Sequence, residues 1–199
     1  MHALAQVAAI DAPDWVAAEM PPGYQNRVAE IRRLSEELQE MSQFAKLLWT
    51  IGSELRESVR DVFVALRFEV ALMDAPSDLA LAVKLDGKRH LLLHVSASEG
   101  PIDKKSPEIA QVFRMLHEIA GEHDRVVLVT NGDRMHQPAE RADAFSPEAL
   151  KLLQRLGANG VTAPTLFKLW GLAGQDADRA RKYVERLHEQ DGGAFALPS

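Results

Sequence analysis

The chain has 199 residues, 46% of them apolar and 26% charged, with a formal net charge of −6. It contains no cysteine, which excludes a disulfide framework and any cysteine-based zinc site. No apolar run reaches the ~18–20 residues that span a bilayer, and the negative charge gives no general attraction to polyanions.

Residues 1–23 are rich in alanine and end in the breaker Met20-Pro21-Pro22-Gly23. Ala3 to Ile10 is apolar but lacks a basic flank and is too short for a signal peptide, so a cytoplasmic location is expected. From Tyr24 to about Trp49 the pattern is helical. Ile31, Leu34, Leu38, Met41, Ala45 and Leu48 recur at 3-4-3-4-3 spacing, a coiled-coil seam. The 24–50 segment is therefore a candidate homodimerisation helix, or else a helix packed on its own domain.

A second helix is predicted from near Ser53 to Leu66, burying Leu55, Val59, Val62, Phe63 and Leu66. Phe68 to Met73 reads as a strand, which Asp74-Ala75-Pro76 breaks. Ser77 to Leu85 and His90 to Ala97 alternate as two strands around Asp86-Gly87, a hairpin turn. Leu91, Leu93 and Val95 fall on one face of the returning strand, and His90, Leu92, His94 and Ser96 on the other. Residues opposite one another in a hairpin share a face. A three-residue loop, Asp86-Gly87-Lys88, pairs Asp78 with Ser96 and Ala80 with His94, gathering Asp78, His94 and Ser96. A two-residue loop would separate them. The odd loop is expected, with Gly87 at positive φ.

Ser106 and Pro107 open a helix to about Ala120. Val126 to Thr130 is a central-strand run, and Asn131 to Phe145 a long polar loop. Ser146-Pro147 opens a helix ending at Leu156-Gly157. Asn159 to Thr162 is a short strand, Thr165 to Trp170 a short helix, Gln175 to Gln190 a charged helix and Gly192 to Ser199 a tail. This order predicts an α/β domain, a mixed sheet with helices on both faces, behind an N-terminal helical extension. The expected segments are 1–23, the 24–50 helix, a 51–172 domain and a 173–199 helix and tail.

Several segments resemble the PD-(D/E)xK, or restriction-endonuclease-like, nucleases. Gly52 to Val59 followed by Leu66 to Val70 is similar to the family's helix-then-strand entry, and Ser77-Asp78 and His94-Val95-Ser96 to its two motif elements. Ser98 to Ile102, Gln111, Asn131, Pro138 to Arg141, Phe145 to Leu150 and Thr165 to Phe167 resemble its later elements in order, so that the resemblance covers roughly Gln43 to Gly171.

The resemblance implies a restriction-endonuclease-like fold and, in an active member, two acids holding Mg²⁺ beside a lysine. Here His94 stands at the second acid and Ser96 at the lysine. Mg²⁺ prefers oxygen ligands, so one remaining carboxylate, Asp78, would hold it weakly. The expectation is a pseudonuclease that acts as a nucleic-acid-binding or assembly module.

The alternative is a metal-dependent endonuclease with a rearranged site, using Mg²⁺ or Mn²⁺. Glu54 or Glu57 would then replace the acid and Lys104 the lysine, or Asp78 and His94 would hold a transition metal. A third reading is a structural or regulatory dimer that binds no nucleic acid. Lys84, Lys88, Arg89, Lys104, Lys105 and Arg114 form the candidate DNA or RNA contact surface. The simpler reading, and the one preferred, is a solvated hairpin edge, where lysine also discourages strand addition.

Overall fold

A computed structural model describes residues 16–73 and 79–198. The chain divides into two compact units, residues 1–41 and 42–199. Val16–Glu19 forms α1, and Tyr24–Ala45 forms α2, which carries the coiled-coil-like pattern.

The second unit is α/β. Its elements are a 3₁₀ turn Lys46–Leu48, α3 Gly52–Ala65, β1 Glu69–Leu72, β2 Ala80–Lys84, β3 His90–Ser96, α4 Pro107–Glu118, β4 Arg125–Thr130, α5 Pro147–Leu156, β5 Asn159–Thr162, α6 Ala163–Ala173, α7 Ala177–Glu189 and β6 Gly193–Ala194. The six strands form one mixed sheet in chain order. β1 to β3 are antiparallel neighbours, and β3 to β6 are parallel.

Strand alternation divides the core in two. Leu91, Leu93 and Val95 of β3 face one layer with Leu55, Val59 and Phe63 of α3, Leu166 and Leu169 of α6, and Val184 and Leu187 of α7. Leu92 of β3 faces the other, with Val126 and Leu128 of β4, Ile109, Val112 and Met115 of α4, and Ala149 and Leu153 of α5. The stripe expected on the second helix, Leu55 through Leu66, is wholly buried.

The hairpin register is the one that the odd loop requires: Ala80 pairs with His94 and Lys84 with His90, and Leu85 N donates to Arg89 O at 2.9 Å. Gly87 is not in the left-handed region. The turn is held instead by Asp86, whose Oδ1 accepts from the backbone N–H of Lys88 and of Arg89, both at 2.9 Å. Those donors, with the Arg89 guanidinium, keep the Asp86 carboxyl well below its usual range. An Asx turn takes over the role expected of a glycine conformation.

Other boundaries moved. Ser106 is the residue before α4 but makes no side-chain cap; its Oγ accepts from Asp103 N at 2.9 Å. Ser146 does cap α5, accepting from Ala149 N at 3.1 Å, and Gly157 closes that helix at φ 66°. α6 begins at Ala163, not Thr165, because Thr162 caps it, and it extends to Ala173. The expected tail is partly structured, since Gly193 and Ala194 add a parallel strand to β5 and Phe195 is buried.

Candidate functional site

His94 and Ser96 lie on the C-terminal half of β3, on the face covered by α4. Ser96 Oγ donates to Oε1 of Glu108, in the first turn of α4, at 3.1 Å. His94 is 5% exposed, and burial pushes its imidazole below the usual histidine range while the nearby Glu108 charge acts in the opposite direction. Gln111 sits three residues beyond Glu108, on the adjacent turn of the same helix. Asp78, the expected first acid, lies outside the described residues.

Two hydroxyls extend this polar end of the sheet. Thr130, at the end of β4, pairs in register with Ser96 and so shares its face. It is fully buried, and Thr130 Oγ1 and Ser98 Oγ find no hydrogen-bond partner among the described residues. The cluster stands at the C-terminal ends of parallel strands, the end at which open α/β sheets bind ligands.

The acid beside Ser96 was not among the sequence candidates. Glu54 and Glu57 are on α3, whose buried residues pack against the opposite face of the sheet. Glu54 and Glu57 line a separate cleft with Lys46 and Asp61, and Glu57 is ion-paired with Arg56 and Arg60. Glu108 takes the expected neighbouring place because the loop after β3 brings the start of α4 back over Ser96. The available signal was Pro107-Glu108 at the opening of a predicted helix, twelve residues after Ser96.

The described donors at this site, an imidazole, a hydroxyl and the Glu108 carboxylate, are not the oxygen-rich set that Mg²⁺ prefers. Among the described residues no group of three metal-ligating side chains gathers anywhere. His94, expected at the second motif position, is a buried imidazole biased toward its neutral form, and Ser96, expected at the lysine position, is a hydroxyl. Lys104 is exposed on the loop before α4 and lines a different cleft.

That cleft, about 430 Å³, lies between α4 and α5. Ile109, Phe113, Leu152 and Leu156 line it, and Lys104, Lys105 and Arg114 belong to its walls. None of these three cations is ion-paired among the described residues. Phe113 is half exposed and rests against His117, ring centroids 4.2 Å apart.

The other half of the expected basic surface is elsewhere. Lys84 ends β2 opposite His90, and Lys88 and Arg89 belong to the β2–β3 turn, at the N-terminal end of β3, whereas Glu108, near Lys104 and Lys105 in sequence, contacts its C-terminal end. Lys84 is paired with Glu69 at 2.9 Å and Arg89 with Asp86 at 2.6 Å.

Asn131 and Arg141 prove architectural. Asn131 Nδ2 donates to Thr50 O at 3.0 Å. Arg141 donates from Nη1 to Asn131 Oδ1 at 2.9 Å, from Nη2 to Leu48 O at 2.5 Å and from Nε to His136 O at 3.0 Å. This clasp ties the segment before α3 to the long loop after β4. No protein-family model matches the chain, and no curated protein or solved structure matches it either.

Proposed function

We propose that residues 42–199 form a restriction-endonuclease-like domain that has lost metal-dependent cleavage and works as a nucleic-acid-binding or assembly module. One observation carries the reading: at the position expected for the family's lysine, the Ser96 hydroxyl is bound to the Glu108 carboxylate, which is ion-paired with no lysine or arginine among the described residues. Phosphodiester cleavage needs positive charge where the transition state gathers negative charge. A serine and a buried neutral imidazole supply none. The binding surface in this reading is the α4–α5 cleft, where Lys104, Lys105 and Arg114 would meet phosphates and Phe113 offers a ring for stacking.

The test is incubation of the protein with plasmid DNA, single-stranded DNA and RNA, in Mg²⁺, Mn²⁺ or EDTA, beside Asp78→Ala and Glu108→Gln. The expected result is no cutting under any condition, together with binding that weakens as salt rises. Metal-dependent cutting abolished by Asp78→Ala would overturn it.

A second reading, an active nuclease with a rearranged site, is favoured by the same contact seen differently: Glu108 supplies a carboxylate beside Ser96 and near His94. In that case Glu108→Gln and Asp78→Ala would both abolish cutting. The net charge of −6 favours the third reading, a structural or regulatory protein, which predicts no nucleic-acid binding even at low ionic strength. No helix among the described residues is long and apolar enough to cross a membrane.

A further inference from the structure

α2 is 22 residues long and buries none of them. Phe44, near its C-terminal end, stacks on Trp170 with ring centroids 4.5 Å apart; the rest of the helix lacks the covered apolar face from which most helical stability in proteins comes. In heptad terms Tyr24, Ile31, Leu38 and Ala45 occupy a, and Arg27, Leu34 and Met41 occupy d. Ile31 is 63% exposed, Leu34 44% and Met41 57%.

This spacing has a period of about 3.5 residues, the one that meshes with another helix of the same pattern, rather than the 3.6 of a helix lying on a globular core. Its first complete layers are Ile31 at a and Leu34 at d, the combination that favours two parallel strands.

The flanks decide the orientation. The g edge carries Glu30 and Glu37, and the e edge Ser35 and Ser42. Arg33, at c, binds both glutamates along its own helix, with Nη2 2.7 Å from Glu30 Oε1 and Nη1 on Glu37. We infer that α2 pairs with α2 of a second copy of this chain as a parallel, in-register, two-stranded coiled coil. In that arrangement each g residue faces the e residue five positions on in the copy, so Glu30 meets Ser35 and Glu37 meets Ser42, and no like charges oppose. An antiparallel pair sets the glutamate-bearing g edge against its own copy. Arg27 at a d position weakens the N-terminal end, and with about two full heptads of apolar seam the dimer dissociates on dilution.

The chain has no cysteine, so a single introduced thiol reports strand orientation cleanly. The experiment is equilibrium sedimentation of the full chain across a concentration series, with air oxidation of Tyr24→Cys, at a, and Glu36→Cys, at f. The expected result is a monomer–dimer equilibrium, with Tyr24→Cys forming a disulfide dimer roughly tenfold or more faster than Glu36→Cys, because pairing raises the local thiol concentration. Leu34→Glu is expected to sediment as a monomer throughout while keeping the thermal unfolding of the 42–199 unit. A full chain that stays monomeric at every concentration overturns the inference. So does a dimer that survives Leu34→Glu, or one in which the two thiols oxidise at equal rates.

Discussion

Ser96 Oγ donates to Glu108 Oε1 across 3.1 Å, joining the end of β3 to the first turn of α4. The carboxylate also sits at the positive end of the helix dipole, where an anion is favoured. A hydroxyl bound to a carboxylate is worth about 1.5–3 kcal/mol when the pair is shielded from water, and less where the acid is partly solvated as here. Ser96→Ala, Glu108→Gln and the double variant form a cycle in which urea unfolding should give a coupling of about 0.5–1.5 kcal/mol. Additivity within experimental error would mean that the contact is not maintained in solution.

His94 makes stability depend on pH. Burial is the first cause of its depressed pKa, and the nearby Glu108 charge opposes the shift. The unfolded imidazole titrates near 6.5, and the folded one lower. Above both values the residue is neutral in either state and adds no pH dependence. As pH falls below about 6.5 the unfolded chain takes up the proton first, so stability declines until the folded value is passed. His94→Gln should flatten urea midpoints measured between about pH 7 and pH 5. An unchanged slope in that variant would assign the dependence to another histidine.

Alternation and turn chemistry made much of the sheet legible. The period-2 runs at Leu81–Val83 and Leu91–Val95 fixed the two faces, and an odd hairpin loop fixed Ala80 opposite His94. The mechanism of the turn was not legible, because Asp86 can serve either as a type I′ residue or, as it does, through its own carboxylate. Glu108 was missed for a related reason. The loop from Ala97 to Ser106 has no periodicity, so its path back over Ser96 depends on Ile102, which enters the second core and bridges to Phe145. The basic surface divided because sequence neighbours at a hairpin tip and on a distant loop are separated by the length of β3, and cross-strand pairing engages Lys84 with Glu69.

Gly160 shows how tightly the second layer is packed. A Cβ there would lie 2.8 Å from Phe145 Cζ and 3.1 Å from both Cε atoms. The ring is buried and cannot swing aside without disturbing its neighbours. Gly160→Ala should cost about 1–3 kcal/mol, the usual range for overpacking a core. Adding Phe145→Leu should recover part of the loss in thermal unfolding, although Phe145→Leu alone destabilises. Failure of the pair to show that compensation would mean that β5 moves instead of the ring.

Arg141 spans three connections that no secondary-structure pattern announces. Its guanidinium binds Leu48 O and Asn131 Oδ1, while Asn131 Nδ2 binds Thr50 O. Burial lowers its pKa, with Asp133 opposing, yet an arginine remains charged at any working pH. Arg141→Ala leaves buried acceptors unmatched and should destabilise by about 2–3 kcal/mol. Arg141→Lys should recover little, since one ammonium cannot reproduce a fork bound at both ends. Hydrogen exchange should quicken at residues 46–50 in either variant; unchanged exchange there would show that the clasp is not what holds that segment.

The α4–α5 cleft gives the binding proposal its sharpest quantitative form. Lys104, Lys105 and Arg114 are the cations of its lining. If each neutralises one phosphate, the slope of log affinity against log salt falls by about 0.7 per cation removed on single strands and about 0.9 on duplex DNA. Lys104→Gln, Lys105→Gln and Arg114→Gln should each lower binding and flatten the slope by that amount, with little change in sequence preference. Phe113→Ala should weaken single-strand binding by about 1–3 kcal/mol while leaving the salt slope intact. Lys84→Gln, already paired to Glu69, should leave both affinity and slope unchanged. Equal effects from Lys84→Gln and Arg114→Gln would place the contact surface on the hairpin rather than in the cleft.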